Sequence, residues 1–420
     1  MPSVGTSADG RHAADDGRAA TVTRILAYVV CAAFALRLRV PPDLHLGTLV
    51  AIALLPVTLS TVRRYRGAGV ILGLALAAAF GGILLTYIHA ADHDTNTMPM
   101  VVEALRIAGI GVGVITLLWA RSIIGLYRVA LAYGVGGLIS VAIDGANFDN
   151  LWKFSLSVPI TLIVLSLPIA TKTVTRQFIA VLALAALSAL SDSRSLAATL
   201  LIAGALLLIQ RRPGSPRRSA WTVVVQIAAV GVGGFLALQA AIVEGILGEE
   251  VQARTALQIQ TSGSVFTGGR PELGATVALL GAHPLGFGTG TVPSFRDIFI
   301  AKEGMAALGY NPLHNGYVDR YMFGTKFEVH SLLGDLWLLG GVLGGALGIA
   351  ILVYAVYGMA HSIAVGAAAG VALFLGVRTV WDFFFSPIGT TFFTVALCLA
   401  LLLPPVKQSV TPPVSRIGLT

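Results

Sequence analysis

The chain has 420 residues, of which 56% are hydrophobic and only 11% are charged. Because about a quarter of the residues in a soluble domain are charged, this composition excludes an ordinary soluble protein and predicts a polytopic membrane protein. The formal net charge is +8. The basic residues collect in alternate connections between apolar segments, which indicates membrane topology and attraction to anionic lipid, so no nucleic-acid partner is expected.

The chain opens with a polar segment and closes with another. Residues 1–23 have no apolar core after a short basic start, so we expect a disordered cytoplasmic tail and not a cleaved signal peptide. Residues 407–420 are predicted to form a second cytoplasmic tail. Cys31 and Cys398 both lie in apolar runs and are expected to be buried free thiols.

Twelve apolar stretches lie between these tails, and their lengths approach the about 20 residues that span a bilayer. The predicted fold is therefore an all-α bundle of about twelve transmembrane helices, nine within residues 24–244 and three within residues 330–406. The stretches lie near residues 25–40, 46–62, 68–90, 98–120, 122–143, 153–170, 177–190, 195–210, 220–244, 331–357, 361–380 and 388–405.

Basic residues predict the orientation of this bundle. Alternate connections are rich in arginine and lysine, as at residues 63–66 and 211–218, whereas the intervening ones are short and often acidic, as at residues 91–94. Since cytoplasmic connections carry the excess of basic residues, both termini are expected in the cytoplasm. One long polar loop, residues 245–329, then lies between the ninth and tenth helices on the extracytoplasmic side.

Ionisable residues within the apolar stretches lie toward that same outer side. Glu103 with Arg106, and Arg378 with Asp382, have helical spacing and are expected to form structural ion pairs. No ionisable residue is expected near the midplane of a predicted helix, where an ion-coupled carrier commonly places such groups. This distribution favours a site that faces outward.

The long loop ends at His330 and Ser331, where the tenth apolar stretch begins. An imidazole at the membrane edge is suited to chemistry on a lipid-borne substrate, because its intrinsic pKa lets it accept a proton near neutral pH. Arginine would complement it, because the guanidinium fork fits phosphate oxygens.

Four short motifs occur in a fixed order around this loop. They are Ser191-Asp192-Ser193-Arg194-Ser195; Gly268-Gly269-Arg270 followed by His283-Pro284-Leu285-Gly286-Phe287-Gly288; Pro312-Leu313-His314-Asn315; and His330-Ser331 followed by Gly340-Gly341-Val342-Leu343-Gly344. Their order and topology resemble the O-antigen ligase and O-antigen polymerase superfamily of bacterial envelope enzymes, over roughly residues 177–358.

The resemblance implies a metal-independent, inverting glycosyltransferase of the bacterial cytoplasmic membrane, without a cofactor. Such an enzyme moves a sugar or oligosaccharide from a polyprenyl-diphosphate donor to a glycan, lipid or protein acceptor at the outer face of the membrane. By position, Arg194 and Arg270 would bind the donor diphosphate and His330 would be the catalytic histidine. His314 with Asn315 is a second candidate for this role, and we prefer His330 because the glycine pair and the long apolar helix follow it at the family's spacing. His314 and Asn315 would then help to bind the sugar or diphosphate of the substrate. Further candidates for substrate contact are Arg296, Arg320 and Arg378.

Other classes of protein remain as alternatives. A polysaccharide or lipid transporter or flippase is disfavoured by the missing midplane charges. An envelope polymerase of the shape, elongation, division and sporulation class would be expected to depend on a loop carboxylate, whereas these motifs centre on histidine and arginine. A metal site at His314, Asp319, Glu328 and His330 is the weaker interpretation of that segment, since no compact ligand spacing is present.

Overall fold

The computed structural model describes residues 8–41, 43–210, 219–245, 252–253, 256, 260, 270–311, 316 and 318–406. The chain is 78% helical with almost no sheet, which makes it an all-α membrane protein as the composition predicts. Within these described ranges, six helical segments are long and apolar enough to cross a membrane: Arg18–Ala35, Leu46–Arg64, Ala68–His89, Thr97–Ile124, Leu126–Asp144 and Leu332–Ala364. The predicted tail at 407–420 and most of residues 246–269 lie outside the described residues.

Fifteen α-helices are described in these ranges. They are α1 (Ala8–Ala35), α2 (Leu46–Thr58), α3 (Ala68–His89), α4 (Thr97–Ile124), α5 (Leu126–Asp144), α6 (Ser157–Ser166), α7 (Pro168–Thr171), α8 (Val174–Leu190), α9 (Arg194–Ile209), α10 (Ala220–Val243), α11 (Glu272–Ala282), α12 (Phe295–Ala306), α13 (Leu332–Ala364), α14 (Gly370–Phe385) and α15 (Ile388–Leu402). A 3₁₀ turn over Leu59–Arg64 extends α2, π turns cover Trp152–Leu156 and Val318–Met322, and a small antiparallel hairpin pairs β1 (Arg39–Val40) with β2 (Leu44–His45).

Two boundaries differ from the sequence-based expectation. The first helix begins at Ala8 and includes residues 8–23, which we assigned to a disordered tail; the alanines of this segment have high helix propensity. The eleventh stretch was expected over 361–380, but α13 continues to Ala364 and α14 begins only at Gly370. Gly366 has φ of 71° and supplies the left-handed residue that commonly follows a helix end.

Helix α4 is the central helix of the bundle, since most of its residues are buried. Its glycines allow neighbouring helices to approach closely. A Cβ atom at Gly111 would lie 2.8 Å from the Cβ of Ala75, and one at Gly113 would lie 2.3 Å from the ring of Phe34. Small residues at these positions of α4 therefore serve close helix packing.

Helix α13 is broken at Gly341, where φ is 64° and ψ is −153°. The break frees the backbone carbonyl of Leu338 from its helical partner. The backbone amides of Phe287 and Gly288 donate to this carbonyl over 2.7 and 3.1 Å. Non-helical backbone within a membrane segment is tolerated only where such partners replace the lost hydrogen bonds.

Residues 270–311 and 318–331 form a cap over one end of the bundle, which we call the loop end. Helices α11 and α12 cross so closely that a Cβ atom at Gly274 would lie 2.1 Å from the carbonyl oxygen of Gly304. The cap has its own apolar core, to which Leu279, Met305 and Phe327 contribute.

The turn between α3 and α4 fastens this cap to the bundle. Thr95 forms a β-bridge with Thr291. The amide of Asn96 donates to the carbonyl of Gly290 over 2.8 Å, and the amide of Val292 donates to the carbonyl of Asp94 over 2.9 Å. The cap is therefore docked by backbone hydrogen bonds as well as by apolar contact.

Candidate functional site

His330 lies at the loop end, directly before the first turn of α13. Its φ of 52° is in the left-handed region, which is uncommon for residues other than glycine. Ser331 is the N-cap of α13: its hydroxyl accepts from the amide of Gly334 over 3.1 Å and donates to the carbonyl of Phe383 over 3.1 Å. These contacts make the chain turn sharply at His330.

Asp335 fixes the backbone on both sides of this turn. Its side chain is fully buried. One carboxylate oxygen accepts from the amide of Val329 over 2.7 Å, and the other accepts from the amide of Ile388 over 2.9 Å. The carboxylate thus joins the end of the cap, the first turn of α13 and the start of α15, and it holds the segment that carries His330.

The surroundings of His330 favour its neutral form. Burial lowers the pKa of the imidazole most strongly; the charges of Glu328 and Glu272 oppose this effect, and the charge of Arg270 adds to it. The resulting pKa lies below the ordinary histidine value of about 6.5. The side chain is 19% exposed and its Nε2 atom lies 3.8 Å from the nearest carboxylate oxygen of Glu328. A neutral imidazole here can accept a proton, and Glu328 can stabilise the imidazolium that results.

Arg270 lies at the same end of the bundle. The centre of its guanidinium is 5.5 Å from the ring centroid of Trp381 and 5.6 Å from that of Phe385, at the end of α14. These distances are typical of cation–π contacts, which orient the planar group without neutralising it. Because the charge of Arg270 also lowers the pKa of His330, the structure brings these two predicted site residues together.

A chain of alternating charges links this site to the bundle interior. The predicted ion pair of Glu103 with Arg106 is confirmed. The Nζ atom of Lys326 lies 2.9 Å from Glu103 and 3.0 Å from Glu328. Burial is the largest single effect and lowers the pKa of Lys326, but the charges of Glu103 and Glu328 and the hydrogen bond to Glu103 together outweigh it, so the pKa is raised. Lys326 thus connects α4 to the segment of His330.

Arg194 is the first residue of α9, and its contacts are local. Its Nε atom lies 3.1 Å from the carboxylate of Asp192, and Lys153 lies 3.7 Å from the same carboxylate. Helix α9 packs against α14, with the far end of α9 at Leu207 beside the start of α14 at Gly370. The antiparallel arrangement puts Arg194 toward the loop end. The described contacts pair Arg194 with Asp192. Arg194 begins α9, whereas Arg270 precedes α11 and His330 precedes α13.

The remaining candidates are more scattered. Arg296 and Arg320 are exposed on the cap, while Arg378 forms the expected pair with Asp382, 3.4 Å apart. His314 and Asn315 lie outside the described residues.

A cavity of about 390 Å³ lies at the opposite end of the bundle and is lined by Arg63, Arg64, Tyr65, Pro405 and Val406. None of the sequence motifs reaches it. The cap end therefore remains the better candidate site, because His330, Glu328 and Arg270 lie there together.

Comparisons of the chain with protein-family models, with curated proteins and with solved structures returned no significant match. The assignment of function rests on the motifs and on the geometry described above.

Proposed function

We propose that this chain is a membrane glycosyltransferase that uses a polyprenyl-diphosphate-linked sugar or oligosaccharide as donor, either as a polysaccharide polymerase or as an O-antigen-type ligase. The observation that carries the proposal is the electrostatic interaction of His330 with Arg270, which lie near the two ends of the cap. A proton acceptor and a diphosphate-binding cation are the two groups that this reaction requires.

The reaction follows from these groups. The imidazole of His330 removes the proton from the acceptor hydroxyl as its oxygen bonds to the anomeric carbon of the donor sugar. The bond from that carbon to the diphosphate oxygen breaks with inversion, and the lipid diphosphate departs with the electron pair. Arg270 stabilises the negative charge that develops on the leaving group, and such stabilisation is strong in a site screened from water.

Arg194 is proposed as the second diphosphate contact. Its position at the loop end supports this role, and a bound diphosphate would compete with Asp192 for the guanidinium. Arg296, Arg320 and Arg378 could reach a long glycan only outside the immediate reaction centre, so we assign them at most to substrate contact.

The proposed enzyme also has a definite membrane topology. In addition to the six long helices, shorter apolar helices such as α8, α9 and α15 complete a bundle of about twelve spans. Both termini lie in the cytoplasm of a bacterium, and the cap lies outside the cytoplasmic membrane, where no nucleotide sugar is present. The energy for transfer must then arrive with the lipid-linked donor.

The test is transfer by purified protein in liposomes that contain lipid-linked oligosaccharide extracted from the source cells. His330→Asn removes the imidazole but keeps a residue that tolerates the left-handed backbone conformation. We expect the transfer rate to fall about 10²–10⁴-fold, the usual contribution of a general base. The matched control is His361→Asn, at the far end of α13, which should leave the rate unchanged.

Folded His330→Asn protein that transfers glycan at the wild-type rate would disprove the assignment of the base. Movement of the intact donor across the bilayer, with no new glycosidic bond, would instead support a flippase. The Arg194→Ala variant tests Arg194 independently of Arg270. We expect it to lower the transfer rate at a given donor concentration, while the dependence of the rate on acceptor concentration stays the same.

A further inference from the structure

A cluster of histidine and aspartate side chains lies where the cap meets the turn after α3. His89 is the last residue of α3, and Asp92 and His93 follow in the turn. One possible ligand atom from each of these three residues lies within 4.8 Å of the others. The sequence pattern that marks this cluster is His-x-x-Asp-His, at residues 89–93.

The separations within the cluster match those in a metal site. An oxygen of Asp92 lies 2.9 Å from Nδ1 of His93 and 3.5 Å from Nδ1 of His89. In a tetrahedral zinc site with metal–ligand distances of about 2.0–2.2 Å, neighbouring ligand atoms are about 3.3 Å apart. An ion can therefore be placed among the three atoms with only small rotations of the side chains.

The Nε2 atom of each of the two histidine rings already has a hydrogen-bond acceptor. Nε2 of His93 lies 3.0 Å from a carboxylate oxygen of Asp297, and Nε2 of His89 lies 3.1 Å from the carbonyl oxygen of Gly286. Both partners can only accept, so both Nε2 atoms carry a hydrogen. In the neutral rings, the Nδ1 lone pairs then point toward the Asp92 carboxylate, which offers no proton. The two Nδ1 atoms and the Asp92 oxygen are then three acceptors that face one another, and a bound cation would give each of them a partner.

Asp297 is built as an outer partner of such a site. It is 1% exposed. The oxygen that receives the His93 hydrogen also accepts from the amide of Ser294 over 2.8 Å and from its hydroxyl over 2.6 Å. A histidine ligand that donates its other hydrogen to a fixed carboxylate or backbone carbonyl is the usual outer arrangement around protein-bound zinc.

We propose that His89, Asp92 and His93 bind a divalent transition-metal ion, of which Zn²⁺ is the best fit, with Asp297 and the Gly286 carbonyl orienting the two imidazoles. Two neutral imidazole nitrogens and one carboxylate suit zinc, and Asp92 is 60% exposed, so water can complete the coordination. The site is structural: it joins the turn after α3 to the cap, and the transfer reaction needs no metal.

A proton on His93 is the competing occupant of this cluster. One protonated imidazole would donate to Asp92 over 2.9 Å and to Asp297 over 3.0 Å. Retention of metal by the purified chain distinguishes the two.

The experiment is metal binding to the full chain purified in detergent, first treated with a chelator and then equilibrated with Zn²⁺ or Co²⁺. We expect about one metal ion per chain after removal of the excess, a Co²⁺ spectrum typical of four-coordinate nitrogen and oxygen ligands, and a higher unfolding temperature with Zn²⁺. Asp92→Asn should abolish tight binding, and Asp297→Asn should weaken it about 10- to 100-fold.

Asp94→Asn is the matched control, because it removes a neighbouring exposed carboxylate of the same turn and should bind metal as the wild type does. Asp92→Asn protein that binds Zn²⁺ as tightly as the Asp94→Asn control would refute the site. Failure of the wild type to retain metal would refute it as well. The Co²⁺ spectrum of the wild type does not depend on any variant, so it decides the question even if Asp92→Asn fails to fold.

Discussion

Replacement of Gly341 by alanine should destabilise the protein through the break in α13. The backbone at Gly341, with φ of 64° and ψ of −153°, is in a region that is essentially restricted to glycine and costs other residues about 1–3 kcal/mol. An added Cβ atom would lie 2.7 Å from the carbonyl oxygen of Leu285 and 2.7 Å from a methyl carbon of Leu85. Contact with the backbone carbonyl cannot be relieved by a side-chain rotation.

The destabilisation by Gly341→Ala is larger if the cap also shifts away from α13. The Leu338 carbonyl would lose the amides of Phe287 and Gly288, and two such hydrogen bonds contribute about 2 kcal/mol together. Gly341→Ala should therefore lower the free energy of unfolding by about 3–5 kcal/mol. Denaturant unfolding in detergent measures this change, and limited proteolysis should show faster cleavage within the cap.

Gly73→Ala is the control for the Gly341 experiment. Gly73 lies within α3 and has no atom within 4 Å of the position where a Cβ would be placed, so alanine should be neutral or stabilising by up to about 1 kcal/mol. If Gly341→Ala unfolds at the same denaturant concentration as Gly73→Ala, the break in α13 is not required and the account of cap anchoring is wrong.

Three further predictions concern the site. Asp335→Ala should lower the free energy of unfolding by about 2–6 kcal/mol, because two buried amides lose their acceptor, and Asp335→Asn, which keeps one acceptor oxygen, should cost less in the same unfolding assay. Arg270→Lys should reduce kcat/KM for the donor about 10- to 100-fold, because the charge remains but the stacked fork is lost; an unchanged donor dependence of the rate would remove Arg270 from the site. The pKa of His330 is below that of a free histidine, so activity should be retained at pH 7 and should fall only below about pH 6.5, as the base becomes protonated. Stability should fall in the same direction, since the unfolded chain binds this proton more tightly, and both pH dependences should be missing from His330→Asn protein.

Local spacing was sufficient to predict many parts of this structure. Helix α3 at Ala68–His89 agrees with the stretch predicted over 68–90, because its length and apolar composition are set by the segment itself. The ion pairs at Glu103 and at Asp382 follow from three- and four-residue spacing on one helix, which determines side-chain proximity without any tertiary contact.

Contacts between distant segments could not be predicted from spacing. Lys326 pairs with Glu103, 223 positions earlier, and Asp297 bonds to His93 across 204 positions. Gly341 ends one helical piece and begins another within the tenth apolar stretch. That break exists because the loop amides compensate for the lost helical bonds, and the helix sequence alone does not reveal its partner.

The bonds from the Phe287 and Gly288 amides to Leu338 also limit how far the cap can move. The Leu338 side chain belongs to the apolar core of the cap, so the cap and this part of α13 form one packed unit. Separating them would break both hydrogen bonds and expose that core to water. If the proposed reaction is correct, the lipid-linked donor must reach His330 without separating the cap from α13.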